Sequence, residues 1–250
     1  MKRNQKLVDE ITHYVEEHIK SFHDSRINKL KTLKLKNVLK KKNPYLFRAK
    51  YMLTADDIVR NLTNAYLSSA EETMFGDWLE GLAIFVSSKT LNGRKSAVTG
   101  VDLEFDKNDI RYIVSIKSGP NWGNSSQVKK MREDFSKAKK TLRTSNNSNL
   151  NIIAVNGCCY GVDNNPDKGD YFKYCGQNFW ALISGNDNLY LDIIEPLAMR
   201  AKERNDEFQQ LFSQMQNKFT KEFIDEFCLD DGCIDWQKLV KFNSGKKENK

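Results

Sequence analysis

Two period-two runs separated by a polar turn organise the pattern of hydrophobic and polar positions. Val101, Leu103 and Phe105 alternate with Asp102 and Glu104; Ile110, Tyr112, Val114 and Ile116 alternate with Arg111, Ile113, Ser115 and Lys117; the turn DKND lies between them. Alternation of this length predicts two strands joined as a β-hairpin. A third strand is expected in NIIAVNGCCYG, whose uniform apolarity suits burial between helices, with Cys158, Cys159 and Tyr160 as core and strand-end packing. FWALISG is read as a further strand, after the polar, irregular insert VDNNPDKGDYFKYCGQ.

Helical spacing accounts for most of the remainder. Leu7, Ile11, Tyr14, Val15 and Ile19 predict a helix over 3–24, and His13, His18 and His23, five apart, are read as surface residues rather than metal ligands. Pro44 is expected to end any helix. Thr54 followed by Asp56 and Asp57 predicts a helix start and a helix to about Ser68, with a second from about Ser69 to Val86 whose stripe is Phe75, Trp78, Leu79, Leu82 and Val86. After the turn SGPNWGNSS, Ser125 or Ser126 is expected to cap a helix running to about Arg143, and TSNNSN is a loop. Pro196 stands near the start of a helical segment through Arg204, and Phe208, Leu211, Phe212, Met215, Phe219 and Phe223 continue at helical spacing. DGCIDWQKLVKF forms a turn and short helix, and the tail SGKKENK is expected to be disordered.

Composition narrows the class. With 250 residues, 39% hydrophobic and 29% charged, the chain suits one domain with a sizeable core. We divide it into a basic helical part at 1–70, a core at 71–185 and a helical part at 186–250. No apolar run approaches the ~20 residues needed to span a bilayer, and the acid-containing N-terminus lacks the apolar segment of a secretion signal. A cytoplasmic protein without membrane contact is expected. The five cysteines show no paired spacing and are read as free thiols.

The net charge of +7 is concentrated. No acid occurs between Asp24 and Asp56, whereas Lys40, Lys41, Lys42 and Arg48 fall inside that stretch. Such a segment suits a polyphosphate backbone, with a solvated lysine face as the alternative. Asn124, Ser126, Gln127, Lys129 and Lys130, at a predicted helix start, could hold a phosphate on the helix amides; the alternative there is an outer helix with a charged solvent face. The polar insert carries Asn164, Asn165, Lys168 and Lys173, to which the sequence alone gives no role.

The hairpin carries the candidate chemistry. Asp102 and Glu104 share one face of the first strand, Ser115 and Lys117 one face of the second, so pairing brings a carboxylate and an ammonium together. A carboxylate holding a divalent cation beside a lysine orienting a water is suited to phosphodiester hydrolysis. Glu80, in an apolar helix, needs a partner, a metal or a raised pKa.

Val101-Asp102 followed by Ser115-Ile116-Lys117 resembles the PD-(D/E)XK nuclease pattern, with a serine at the position of the second acid. The runs YLSSAEETMFGDWLEGLAIFV, GVDLEF with RYIVSIKSGPNWGNSSQ, and AVNGCCYG resemble the PmeII-like group of Type II restriction endonucleases over roughly 42–207. The resemblance implies an α/β restriction-endonuclease-like core, a central mixed β-sheet flanked by helices with helical N- and C-terminal additions. It further implies Mg²⁺-dependent, site-specific hydrolysis of double-stranded DNA to 5′-phosphates. Because cutting both strands at one site calls for two active centres and the sequence carries one such hairpin, a homodimer is expected. Asp102, Lys117 and Glu80 would be catalytic, and Asp102, the Ile116 carbonyl and Glu80 or Glu104 would hold the ion. Another PD-(D/E)XK nuclease, of resolvase or repair type, and a catalytically decayed DNA-binding protein are the alternatives. Phe208 to Phe223 and the N-terminal helix are the expected dimer surfaces, the alternative being that both stripes fold back on the core of their own chain.

Overall fold

A computed structural model describes residues 5–145, 151–199 and 201–246. Its elements run α1 (Gln5–Lys31), α2 (Leu35–Leu39), α3 (Pro44–Ala49), α4 (Ala55–Leu91), β1 (Arg94–Lys95), β2 (Leu103–Lys107), β3 (Ile110–Lys117), α5 (Ser125–Ser145), β4 (Asn151–Cys158), β5 (Phe172–Cys175), α6 (Gln177–Ser184), α7 (Leu189–Asp192), α8 (Ile194–Leu197), α9 (Ala201–Phe227) and α10 (Trp236–Ser244). Contacts divide the chain into two compact units, Met1–Lys20 with Met74–Met199 and Ser21–Thr73 with Arg200–Lys250.

The first unit holds a five-stranded sheet in the order β1-β2-β3-β4-β5. The β1/β2 and β2/β3 pairs are antiparallel and the β3/β4 and β4/β5 pairs parallel, which makes the sheet mixed. The hairpin is as the alternation predicts, with Leu103 opposite Val114 and Phe105 opposite Tyr112. Its loop is only two residues, Asn108 (φ 53°) and Asp109 (φ 60°). Two successive left-handed residues match the right-handed twist of the flanking strands, and Asn and Asp tolerate that conformation better than other side chains.

Helices cover both faces. Met131, Phe135 and Ala138 of α5 pack on Ile113, Ile152 and Ala154. On the opposite face, Gly157 of β4 leaves room for the Phe179 ring of α6, where a Cβ would collide. From α4, Trp78, Leu79, Leu82, Ala83 and Val86 are buried as the stripe predicts, and Tyr14 of α1 stacks on Phe85 at 4.1 Å. This is the α/β, restriction-endonuclease-like arrangement, with helical additions at both ends.

FWALIS is helix α6, not a strand: Phe179, Trp180 and Ile183 fit one helical face, and Gly185 at φ 68° closes its C-terminus. The strand in this region is FKYC, pairing parallel to β4 inside the segment read as irregular. Helix α4 is continuous through Ser68 and Ser69, because neither serine diverts the backbone; Thr73 Oγ1 donates to the Ser69 carbonyl within the helix. Pro44 opens α3 at its first turn, with Asn43 capping, where a missing N–H costs nothing.

The second unit is helical. Val38, Ile58, Leu62, Phe219, Phe223 and Phe227 form its core. The Phe208 to Phe223 stripe is therefore covered within its own unit, and Leu7, Ile11, Val15 and Ile19 of the N-terminal helix are buried in the first unit. Neither stripe offers a surface for a second copy. His23 is buried rather than exposed; burial, with Arg26 and Arg204 nearby, lowers its pKa and keeps it neutral. All five cysteines are free thiols. The tail beyond 246 and most of the TSNNSN loop lie outside the described residues.

Candidate active site

Asp102 sits one residue before β2 and is tied from both sides. Its N–H donates to the Val114 carbonyl at 2.8 Å, and its carbonyl accepts from Ser96 at 3.2 Å. The carboxylate turns toward the end of β3, where Oδ2 accepts from the Ile116 N–H at 2.7 Å and faces the Ser115 hydroxyl at 3.4 Å. A residue's N–H and C=O project to the same side of a strand, so the Ile116 carbonyl opens on the Asp102 side. Lys117 ends β3 with Nζ 3.9 Å from Asp102 Oδ2, side chain 31% exposed. The hairpin thus brings together the carboxylate and ammonium that its register predicts. Ser115, expected to act through its backbone alone, is buried and turns its hydroxyl to Asp102.

Glu80 reaches the same place from α4. Its carboxyl pKa is raised, first by burial and then by the charge of Asp102, even though Lys95 lies 3.7 Å away and Lys117 opposes the shift. Desolvation and repulsion therefore outweigh the lysines at Glu80, which leaves its carboxylate under-compensated within electrostatic reach of Asp102. Cys159, just past the end of β4, has its thiol pushed up to about 12 by burial and then by the charge of Glu80.

Glu104 is drawn away from this group. Its carboxylate is buried against Arg111 at 3.2 Å and Arg94 at 3.5 Å, while Arg111 also holds Asp106. Among the described residues no three His, Cys, Asp or Glu side chains gather to hold a metal ion. Two carboxylates and one carbonyl, all hard oxygen donors, nevertheless fit Mg²⁺, which keeps several waters and uses substrate phosphate oxygens to complete its shell.

Beyond β3, Asn124 rather than Ser125 or Ser126 caps α5. Asn124 Oδ1 accepts from the Gln127 N–H at 3.0 Å and from Ser126 Oγ at 2.7 Å, and Gln127 Oε1 accepts from the Asn124 N–H at 3.0 Å. This reciprocal box engages Asn124 and Gln127. Lys130 pairs with Asp134 and Arg132 with Asp170, whereas Lys129 lines an open cleft of about 600 Å³ with Gly123 and Ser125. In the insert, Lys168 and Lys173 both hold Asp163, at 3.0 and 3.6 Å, while Asn164 and Asn165 are exposed.

Lys40, Lys41, Lys42 and Arg48 belong to the second unit. Lys40 lies over the Phe242 ring at 5.2 Å and Arg48 over Trp236 at 5.3 Å, so aromatic faces hold part of this basic stretch in place. Tyr45 and Leu46 remain exposed beside buried Phe47.

Trp122 and Asn156 carry no expected role, yet Trp122 lies against Lys117 and Asn156 accepts the Trp122 indole N–H. An asparagine inside an apolar strand and a tryptophan inside a polar turn were the available signals. No described helix is long and apolar enough to cross a membrane. No curated protein matches the chain. The family model of Type II restriction endonuclease EcoO109I matches residues 9–205, which include the hairpin, Glu80 and the basic stretch. An α/β sheet with this carboxylate–lysine hairpin and a match over most of the chain lead to one conclusion: the protein belongs to the EcoO109I family of Type II restriction endonucleases.

Proposed function

We propose that the chain is a Mg²⁺-dependent, site-specific deoxyribonuclease of the PD-(D/E)XK type that hydrolyses double-stranded DNA to 5′-phosphates. The convergence of Asp102, the Ile116 carbonyl, Lys117 and an under-compensated Glu80 carries this reading. Glu80, from α4, would stand in for the acid that Ser115 replaces. The finer likeness to the PmeII-like group rests on the quoted sequence runs.

Asp102, Glu80 and the Ile116 carbonyl would hold Mg²⁺, and Lys117 would donate a hydrogen bond to the attacking water and fix its line of approach. When bound, the ion would supply Lewis-acid stabilisation of the charge growing on the phosphate. The new bond joins the water oxygen to phosphorus, the bond from phosphorus to the 3′-oxygen breaks, and the phosphate stays on the 5′ side. One chain carries one such hairpin, so cutting both strands at one site calls for a homodimer, formed through surfaces other than the two buried stripes. We assign the whole chain to one nuclease domain that acts on cytoplasmic DNA.

Incubation of the purified protein with bacteriophage DNA and Mg²⁺ tests this reading on a gel. Discrete bands are expected. A smear would point to a nonspecific, repair-type or resolvase-type nuclease, and a mobility shift without cleavage to a decayed binder. Raising salt from 50 to 200 mM should weaken binding by roughly 10³-fold if about six lysines and arginines meet phosphates.

Glu80 supplies a pH test. Its raised carboxyl pKa means that acidification protonates it above the ordinary glutamate range, so cleavage at limiting Mg²⁺ should fall as pH drops through that raised value. Saturating Mg²⁺ favours the ionised form and should move the fall to lower pH. Glu80→Gln should remove this limb and slow cleavage at limiting Mg²⁺ by about tenfold or more. An unchanged pH profile in Glu80→Gln would take Glu80 out of the metal set.

A further inference from the structure

Asn156 is an amide in the wrong kind of place for packing alone. Its neighbours on β4, Ala154, Val155 and Cys158, are apolar and buried, and Asn156 is itself only 1% exposed. A buried amide is tolerated when its hydrogen bonds are made. Here Nδ2 donates to the Ser115 carbonyl at 3.2 Å, and Oδ1 accepts from the Trp122 indole N–H at 3.0 Å. The amide therefore couples the backbone of β3, two residues before Lys117, to a ring in the turn that follows it.

That ring faces Lys117. The ammonium lies 5.3 Å from the Trp122 ring centroid and 3.9 Å from Asp102 Oδ2, so it is held between an aromatic face and a carboxylate. Trp122 also packs on the Met131 and Phe135 cluster, and Lys173 Nζ donates to the Pro120 carbonyl at 3.0 Å in the same turn. A lysine on a flexible four-carbon stem, tethered by one long ionic contact, would sweep a wide arc. A second contact from an anchored indole narrows it.

We propose that Trp122, locked by Asn156, is a positioning residue that holds the Lys117 ammonium toward Asp102 for the cleavage step. The inference rests on Lys117 acting in that step. Trp122→Leu should lower the single-turnover cleavage rate about tenfold, with DNA affinity in metal-free buffer within about twofold of wild type, because a ring acting through Lys117 does not grip DNA. Trp122→Phe keeps an aromatic face and should recover most of the rate. Asn156→Leu, which frees the indole, should fall between them.

A spectroscopic signature accompanies the rates. The Lys117 side-chain methylene resonances should show an upfield ring-current shift in the wild type and Trp122→Phe, lost in Trp122→Leu. A full rate in Trp122→Leu, or a loss confined to DNA affinity, would overturn the proposal, the latter by making Trp122 a DNA contact. If Trp122→Leu melts early, Trp122→Phe and Asn156→Leu carry the comparison. Lys117→Ala separates the two levels: a variant that still cleaves overturns both the role of Lys117 and this inference, whereas an inactive Lys117→Ala beside a fully active Trp122→Leu overturns only the inference.

Discussion

Replacing Lys117 with Ala is expected to lower DNA cleavage by about 10³-fold while leaving DNA affinity nearly intact. The ammonium stands at the C-terminal end of β3, beside the Asp102 carboxylate and over the Trp122 face, where its role would be to order the attacking water rather than to contact a groove. The fold should tolerate the change. Lys117 is about one-third exposed, and a partly solvated ion pair contributes roughly 0–1 kcal/mol, so the melting temperature should move little. Single-turnover cleavage, filter binding and a thermal melt on one preparation check all three statements. Cleavage at the wild-type rate would remove Lys117 from the chemistry.

Asp102→Asn is expected to abolish Mg²⁺-dependent cleavage, by about 10²-fold or more. The substitution is nearly isosteric and an amide oxygen can still accept from the Ile116 N–H, so the strand geometry at 2.7 Å should persist. What vanishes is the negative charge. Mg²⁺ binds through ionised carboxylates, and an amide oxygen is a weaker donor without the charge, so the calorimetric signal of Mg²⁺ binding should collapse. The neighbouring carboxyl reports the same loss with a definite sign. The Asp102 charge raises the Glu80 pKa, so removing it should bring Glu80 down toward the ordinary range, as followed by carboxyl carbon resonances during titration. Unaltered Mg²⁺ affinity would refute the metal role, and an unmoved Glu80 titration would show that the two carboxylates do not interact.

The site was legible in outline because its two firmest residues lie on one hairpin. Strand register is set by period-two alternation and a two-residue turn, so Asp102 and Lys117 were bound to meet once 101–105 and 110–117 paired. From its own helix Glu80 was legible as a carboxylate in apolar surroundings, and only the family resemblance suggested what it would face. Glu104 shows the limit from the other side. Alternation put it on the face of Asp102, but Arg111 across the hairpin and Arg94 on the two-residue strand β1 neutralise it, and so short an edge strand leaves no periodic trace.

Local sequence by itself determined the hairpin, the length of α5, the burial of α4 and β4 and the aromatic stripe of α9, because each follows from side-chain periodicity along one element. Only the tertiary structure decided what those surfaces meet. FWALIS is apolar enough for a buried strand or a buried helix, and the space over Gly157 that Phe179 fills selected the helix. The α9 stripe was expected as a dimer face with the core of its own chain as the alternative, and packing among α2, α4 and α10 took it inward. The Asn156–Trp122–Lys117 chain depends on residues from a strand, a turn and a second strand, distant in sequence and without shared period. Contacts of that kind are set by the three-dimensional fit of elements, which no one-dimensional pattern records.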